Sequence, residues 1–393
     1  MRRLILGVLL VGAFACRPKE SSPGRPAATP VTSASASASA PASAVIAAPP
    51  VPGTTFSFVG VFAPGVTTHA FRLGRSVAVS QSSEHGWSVT TVSAARARVE
   101  LTAKLGAKRR TPNIQILFVG GSAPDDAWIS VLDEVGFPAL AMDTWHVTGD
   151  AVARTAKRYL AMGALRPGQW VALPTHQGPV YLYDQVPSKF EGLRGKGALP
   201  TVPADVHLLD VAFLGDGRAC GLGVVEKPDA GTLSAVLWLS GADNAARTLP
   251  LGAVDDAEAM RVVRGPGGEC VVVTPGEGAT TLARARGDAL ASVKMDRRAT
   301  LATAVPSGTL WFYDDEKKAM GRAELAKDPI ETAAFALPGG LADCTELTDV
   351  TSVVALDDDD VWLTGQCWAG GKMRGDALLH TEPPGNVDVW PAP

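Results

Sequence analysis

The sequence predicts an all-β fold, a seven-bladed β-propeller, carried behind an export signal and a disordered linker. Three observations predict it. One strand–turn–strand pattern recurs seven times at blade-like spacing. The turns inside those recurrences are rich in Gly, Asp, Pro and Ser. A short apolar leader and a low-complexity stretch precede the first recurrence. Six or eight blades, or two stacked β domains, are the competing architectures.

The leader comes first. Arg2 and Arg3 precede an apolar run from Leu4 to Phe14. That run falls short of the ~20 residues a transmembrane helix needs and sits where the core of a signal peptide belongs. Residues 1–15 are therefore read as a signal peptide. The segment Ala13-Phe14-Ala15-Cys16 resembles the lipobox of bacterial lipoproteins, with Ala13 where that family has Leu and Phe14 where it has a small residue. The resemblance implies a lipid on Cys16 and a membrane as partner. The expected location is the cell envelope, on the outer membrane or its periplasmic face. Ala13-x-Ala15 also suits ordinary signal cleavage, which would make secretion the alternative.

Cys16 and the residues to Pro52 form the second segment. Arg17 to Pro52 is dominated by Ala, Ser and Pro, with the alternating run Ser33 to Ala40 at its centre. No apolar periodicity is present to offset the entropy of ordering, so 16–52 reads as a lipidated Cys and a disordered tether. Residues 53–393 form the propeller. A net charge of −4 and a pI near 5.9 exclude the basic surface that nucleic-acid binding requires. The basic cluster Lys104 to Arg110 lies between two strand-like stretches and reads as a solvated turn.

The repeat is marked by Trp87, Trp128, Trp170, Cys220, Cys270, Trp311 and Trp362, each opening the second strand of its pattern. Successive markers lie 41, 42, 50, 50, 41 and 51 residues apart, the range of one four-stranded blade. A bulky side chain at that point is expected to fill the wedge between stacked sheets. Third strands are expected at Pro179, Ser234, Thr280 and Asp376. The segments PSGTLWFYDDE and LDDDDVWLTG resemble the turn-then-Trp signature of regulator-type sensor propellers and Asp-box repeats. That resemblance implies the fold and no activity. The stretch Asp150 to Gly163 places Val152, Ala156, Tyr159 and Leu160 on one helical face and predicts a helix inserted between blades.

Four cysteines besides Cys16 favour disulfides in an exported chain. Cys344 and Cys367 flank the last hairpin and are expected to bond. Cys220 and Cys270 hold apparently equivalent places on successive blades, about 10 Å apart for stacked sheets, and are expected as buried free thiols. The run Asp357 to Asp360 reads as a solvated turn, since the calcium-loop spacing with its distal Glu is absent. GPGGE at Gly265 leads into a strand and reads as a hairpin turn. The six histidines show no metal-ligand spacing. No catalytic residue, metal site or cofactor is assigned. The functional expectation is a non-enzymatic binding or scaffold module at the envelope, with a protein or glycan ligand at one propeller face. A glycan-active hydrolase or lyase is the alternative, and it needs two carboxylates about 5 to 10 Å apart at the channel.

Overall fold

Turn residues cut the chain into short strands, and in the computed structural model each group of strands pairs as an antiparallel meander. The structure describes residues 56–393 except 94, 96, 111–113, 134–140, 150, 156–158, 175–187, 228–231, 242–244, 254–258, 287, 328–329, 339–343, 345, 382–387 and 391–392. Cys16, the leader and the linker lie outside the described residues, as does the third strand expected at Pro179.

Seven sheets result. Blade 1 comprises Thr67–Leu73, Ser76–Ser83, Gly86–Val92 and Arg98–Glu100, from inside outwards. Blade 2 comprises Ile114–Ala123, Asp126–Asp133, Ala141–Thr148 and Ala151–Thr155. Blade 3 has Tyr159–Arg166, Gln169–Pro174 and Glu191–Arg194. Blade 4 has Val206–Phe213, Ala219–Lys227, Thr232–Ser240 and Ala246–Ala253. Blade 5 has Arg261–Arg264, Cys270–Pro275, Thr280–Arg286 and Ala289–Met295. Blade 6 has Leu301–Ala304, Thr309–Asp314, Ala319–Glu324 and Thr332–Ala336.

Blade 7 is built from both ends of the domain. Glu346–Ala355, Val361–Ala369 and Lys372–His380 supply three strands, and Ser57–Phe62 pairs antiparallel with the third to become the fourth. Asp388–Trp390 then adds a fifth strand parallel to Ser57–Phe62. The first strands of the seven blades touch in succession and return from blade 7 to blade 1, which makes the molecule a closed β-propeller. Closure covers the sheet faces that the first and last blades of an open array would expose, and leaves only the short edges of each blade.

Strand alternation puts apolar residues on both faces of each blade, because each face meets a neighbouring sheet. Seven apolar clusters follow, one per blade interface. Between blades 7 and 1, Trp362, Val354 and Leu378 meet Val77, Val79 and Ala70. Between blades 6 and 7, Trp311 and Tyr313 meet Leu363 and Cys367. Polar links join the blades as well. Asp210 accepts the Val262 N–H at 2.9 Å, and Ser352 accepts that of Ala70 at 2.7 Å. Ser307 donates to Asp358 at 2.8 Å between the turns of blades 6 and 7.

The ring-closing interface carries a buried carboxyl. Asp376, 2% exposed, accepts hydrogen bonds from the Thr68 N–H at 2.7 Å and the Thr68 hydroxyl at 2.9 Å. Burial pushes its pKa up from 3.8 to about 6, against the pull of those two bonds. The native state therefore holds this proton more tightly than the unfolded chain. The contribution favours folding fully below about pH 4 and is lost as pH rises through 6, a change of about 3 kcal/mol. Asp376→Asn keeps an acceptor for Thr68 and is expected to flatten that decline, raising stability at pH 7 by about 1–3 kcal/mol. Urea denaturation of both proteins from pH 4 to 8 checks this, and an unchanged pH slope in the variant would refute it.

Several expectations are corrected. Trp87 opens the third strand of blade 1, where Val77 stands near the start of the second. Its 41-residue interval to Trp128 matched a blade repeat by coincidence. Asp150–Gly163 contains no described helix: Ala151–Thr155 and Tyr159–Arg166 are strands flanking residues 156–158. Pairing with Ala141–Thr148 and with Gln169–Pro174 decides this in favour of strand, since an amphipathic period over one short segment is weaker than two ladders. Leu101–Arg110 is a 3₁₀ segment broken at Gly106, not a plain turn, because Leu101 and Leu105 bury into the interface of blades 1 and 2.

Cys220 and Cys270 are bonded, with Cα atoms 6.3 Å apart. The two positions are not equivalent. Cys220 shares the face of Leu222 and looks towards blade 5. Cys270 shares the face of Val272 and looks back towards blade 4, while Val271 looks on towards blade 6. A one-residue offset of the marker thus brings both thiols into one interface. Cys344 and Cys367 are also joined, with Cα atoms 5.2 Å apart within blade 7.

Candidate functional site

The innermost strands of blades 1, 3 and 5 end alike. FRLGR, ALRPG and VVRGPGG each place an arginine in one of the last two strand positions before a Gly or Pro turn. These are Arg72, Arg166 and Arg264. Strand direction is the same in every blade, so all three reach the same end of the central channel, the end bearing the turns between first and second strands.

Arg166 and Arg264 approach one turn from opposite sides. That turn, Leu214–Arg218 of blade 4, closes through a Leu214 N–H to Arg218 carbonyl bond of 3.0 Å. Arg264 Nη1 lies 3.2 Å from where a Cβ would stand on Gly215. The Arg166 guanidinium occupies the place a Cβ would take on Gly217. Both glycines have positive φ, +81° and +97°, so the turn needs them for its conformation as well as for this close approach. Arg72 extends towards blade 7, with a 3.5 Å contact from Nη1 to the Ala355 carbonyl.

Crowding by the blades lowers the Arg72 pKa from its ordinary value, and the charge of Arg264 pushes the same way. Asp357 and Asp360 pull it back up. Arg72 and Arg264 come from blades 1 and 5, which are not neighbours, and their first strands end on the same side of the ring. Among the described residues none of the three arginines forms an ion pair, and Arg264 Nε is buried without a hydrogen-bond partner.

The acidic turn Asp357–Asp360 borders the same channel end, and its carboxylates diverge. Asp357 accepts the Asp358 N–H at 2.9 Å, and Asp358 accepts the Ser307 hydroxyl at 2.8 Å. Asp360 accepts Trp362 Nε1–H at 2.6 Å and meets His380 Nε2 at 3.0 Å. Burial would raise the Asp360 pKa, but these bonds together with the His380 and Arg72 charges hold it below its ordinary value. Among the described residues, no group of three or more His, Cys, Asp or Glu side chains is placed to hold a metal ion.

His380 belongs to an assembly that occurs twice. Its ring stacks on Trp362 with centroids 4.0 Å apart, while Asp360 closes the triangle. In blade 2, His146 stacks on Trp128 at 3.7 Å and bonds Asp126 at 3.0 Å. Asp126 also accepts from Ser122 at 2.6 Å and from Arg194 of blade 3 at 2.7 Å. The sequence carried this signal as Asp-x-Trp followed 18 residues after the Trp by His, in both blades. In blade 6 the residue opposite Trp311 is Arg322, whose guanidinium lies 5.8 Å from the ring centroid. These groups staple second to third strands.

Of the markers, Trp128, Cys220, Trp311 and Trp362 sit on second strands and look towards the following blade, while Trp170 and Cys270 look back. Trp362 donates to Asp360, whose charge acts in turn on Arg72. A cleft of about 360 Å³ opens between blades 4 and 5 beside Cys270, lined by Arg218, Arg247, Glu269 and Leu239 among others. His69, on the innermost strand of blade 1, is held below its ordinary pKa by burial against a bond with the Thr351 backbone.

No known protein-family model and no curated protein matches the sequence. Solved structures resemble this chain at low identity. A protein of unknown function from Dyadobacter fermentans is 12% identical over 84% of this chain and all of its own, with a TM-score of 0.43. YCF48 from Cyanidioschyzon merolae is 11% identical over 85% of this chain and 97% of its own, with a TM-score of 0.42. A PQQ-bound aldose sugar dehydrogenase from Streptomyces coelicolor is 14% identical over 85% of this chain and all of its own, with a TM-score of 0.36.

Proposed function

We propose that this protein is an exported binding module, held at the cell envelope by a lipid on Cys16 and contacting its ligand at the arginine-bearing end of the propeller channel. The convergence of Arg72, Arg166 and Arg264 supports the binding half of that reading. A guanidinium stays protonated at every physiological pH and serves as a fixed donor array, not as an acid or base. Three of them at one channel mouth suit recognition better than proton transfer. The leader, the cysteine after Ala15 and the Ala/Ser/Pro stretch support the anchored half.

Expression in a Gram-negative host with a fatty-acid probe tests the anchor. Wild type is expected to take up the probe and Cys16→Ser to lose at least nine-tenths of the label (an order-of-magnitude drop, roughly). Unlabelled wild-type protein in the culture supernatant would replace the anchored reading with secretion. Release of reducing ends from a polysaccharide by the purified chain would replace the binding module with a glycan-active enzyme.

A further inference from the structure

We propose that the channel end framed by Arg72, Arg166 and Arg264 is a binding site for an oxyanion group, a phosphate or a carboxylate, carried by a small ligand. This deepens the binding-module reading and rests on it.

No carboxylate is ion-paired with these three guanidinium groups among the described residues, although the charges of Asp357 and Asp360 act on Arg72. The whole chain is acidic, at −4, yet this mouth gathers three cations with no ion pair among the described residues. Elsewhere the same chain pairs its arginines readily, as with Arg154–Asp143 at 2.6 Å and Arg218–Asp216 at 2.5 Å. A protein gains nothing in folding from holding like charges together, so sites of that kind trade stability for binding. Arg264 also has a buried Nε without a hydrogen-bond partner. A tetrahedral or planar oxyanion accepts two parallel N–H bonds from one guanidinium and offers further oxygens to a second.

Small residues stand at two of the three places that match Arg72 and Arg264 in blades 2 to 4. Arg72 and Arg264 stand at matching register, opposite Val77 and Cys270 at the start of their second strands. At the places in blades 2, 3 and 4 that face the preceding blade as Arg72 and Arg264 do, opposite Ala127, Trp170 and Ala219, stand Gly121, Ala164 and Phe213. The carboxylates that face Arg72, Asp357 and Asp360, are turned to the Asp358 N–H and to Trp362 and His380. Both belong to the blade 7 turn that borders this channel end.

Thermal unfolding and calorimetry of the full chain with sodium phosphate and with sodium citrate, at matched ionic strength, test this. Wild type is expected to melt at least ~2 °C higher with one of the two anions at ~10 mM. Arg264→Gln is expected to melt no lower than wild type without anion, because a repulsion is removed, and to bind at least ~10-fold more weakly. Arg72→Gln is expected to weaken binding likewise and carries the test if Arg264→Gln fails to fold. Arg247→Gln, which loses only an exposed pair with Asp288, is expected to keep the response. A wild type that responds to neither anion overturns the site, and so does a response that survives both channel substitutions. A phosphate-only or citrate-only response supports the site and distinguishes the two ligand classes. Failure here leaves the Cys16 anchor standing, and failure of the Cys16 labelling leaves the anion site standing.

Discussion

Trp362→Ala is expected to destabilise the propeller by about 3–5 kcal/mol. The side chain is fully buried in the interface that closes the ring, against Val77, Val79 and Leu378. Its loss leaves a large void between blades 7 and 1, beside valines such as Val77, Val79 and Val354 whose short, stiff side chains cannot collapse into it. It also strips the Nε1–H from Asp360 and the ring from His380, which stacks 4.0 Å away. Trp128→Ala offers the matched comparison. Trp128 is only half-buried, and its partner Asp126 keeps bonds from Ser122 and Arg194. That variant is expected to cost about 2 kcal/mol less than Trp362→Ala. Urea unfolding of the three proteins measures both differences. Equal costs for the two tryptophans would mean that closure interface and ordinary interface are energetically alike, and would refute the expected difference.

Replacing Cys220 and Cys270 together by Ala is expected to remove about 4 kcal/mol of stability, from the lost constraint on the unfolded chain. The bond spans 50 residues and ties the second strands of blades 4 and 5. The Cys344–Cys367 bond spans 23 residues and lies within blade 7. Loop-closure entropy grows with the logarithm of length, so the corresponding double variant there is expected to lose about 0.7 kcal/mol less. Guanidinium unfolding of both variants beside wild type reads the order. A thiol assay on the unfolded, unreduced chain checks the premise: two reactive thiols from Cys220 and Cys270 would sink the first expectation outright.

Much of the fold was legible because its causes are local. Turn chemistry at LGDGR, GPGGE and LDDDD sets hairpin positions, and apolar runs between such turns can only be strands of this length. The count of seven rested on marker spacing and came out right although Trp87 marks a third strand. Six of the seven markers do lie on second strands, which was enough to hold the register of the remainder. The repeated Asp-x-Trp and His pairing of blades 2 and 7 was also present in the sequence. It is visible only when the two tryptophans are aligned and the residue 18 places on is compared.

The sequence by itself determined the all-β class, the blade period and the places where the chain turns, because strand alternation and turn preferences act over a few residues. The proposed export signal and lipid site at Cys16 likewise rest on composition and order along the chain alone. The tertiary structure alone decided which way each residue faces, since a one-residue offset in a strand sends its side chain to the other interface. That offset separates Cys220 from Cys270 in register and brings them together in space. Ring closure likewise decided the candidate site. Arg72, Arg166 and Arg264 lie nearly a hundred residues apart in succession, and no local rule connects them. They share one channel mouth because seven parallel-running first strands deliver their last residues to the same end of the ring.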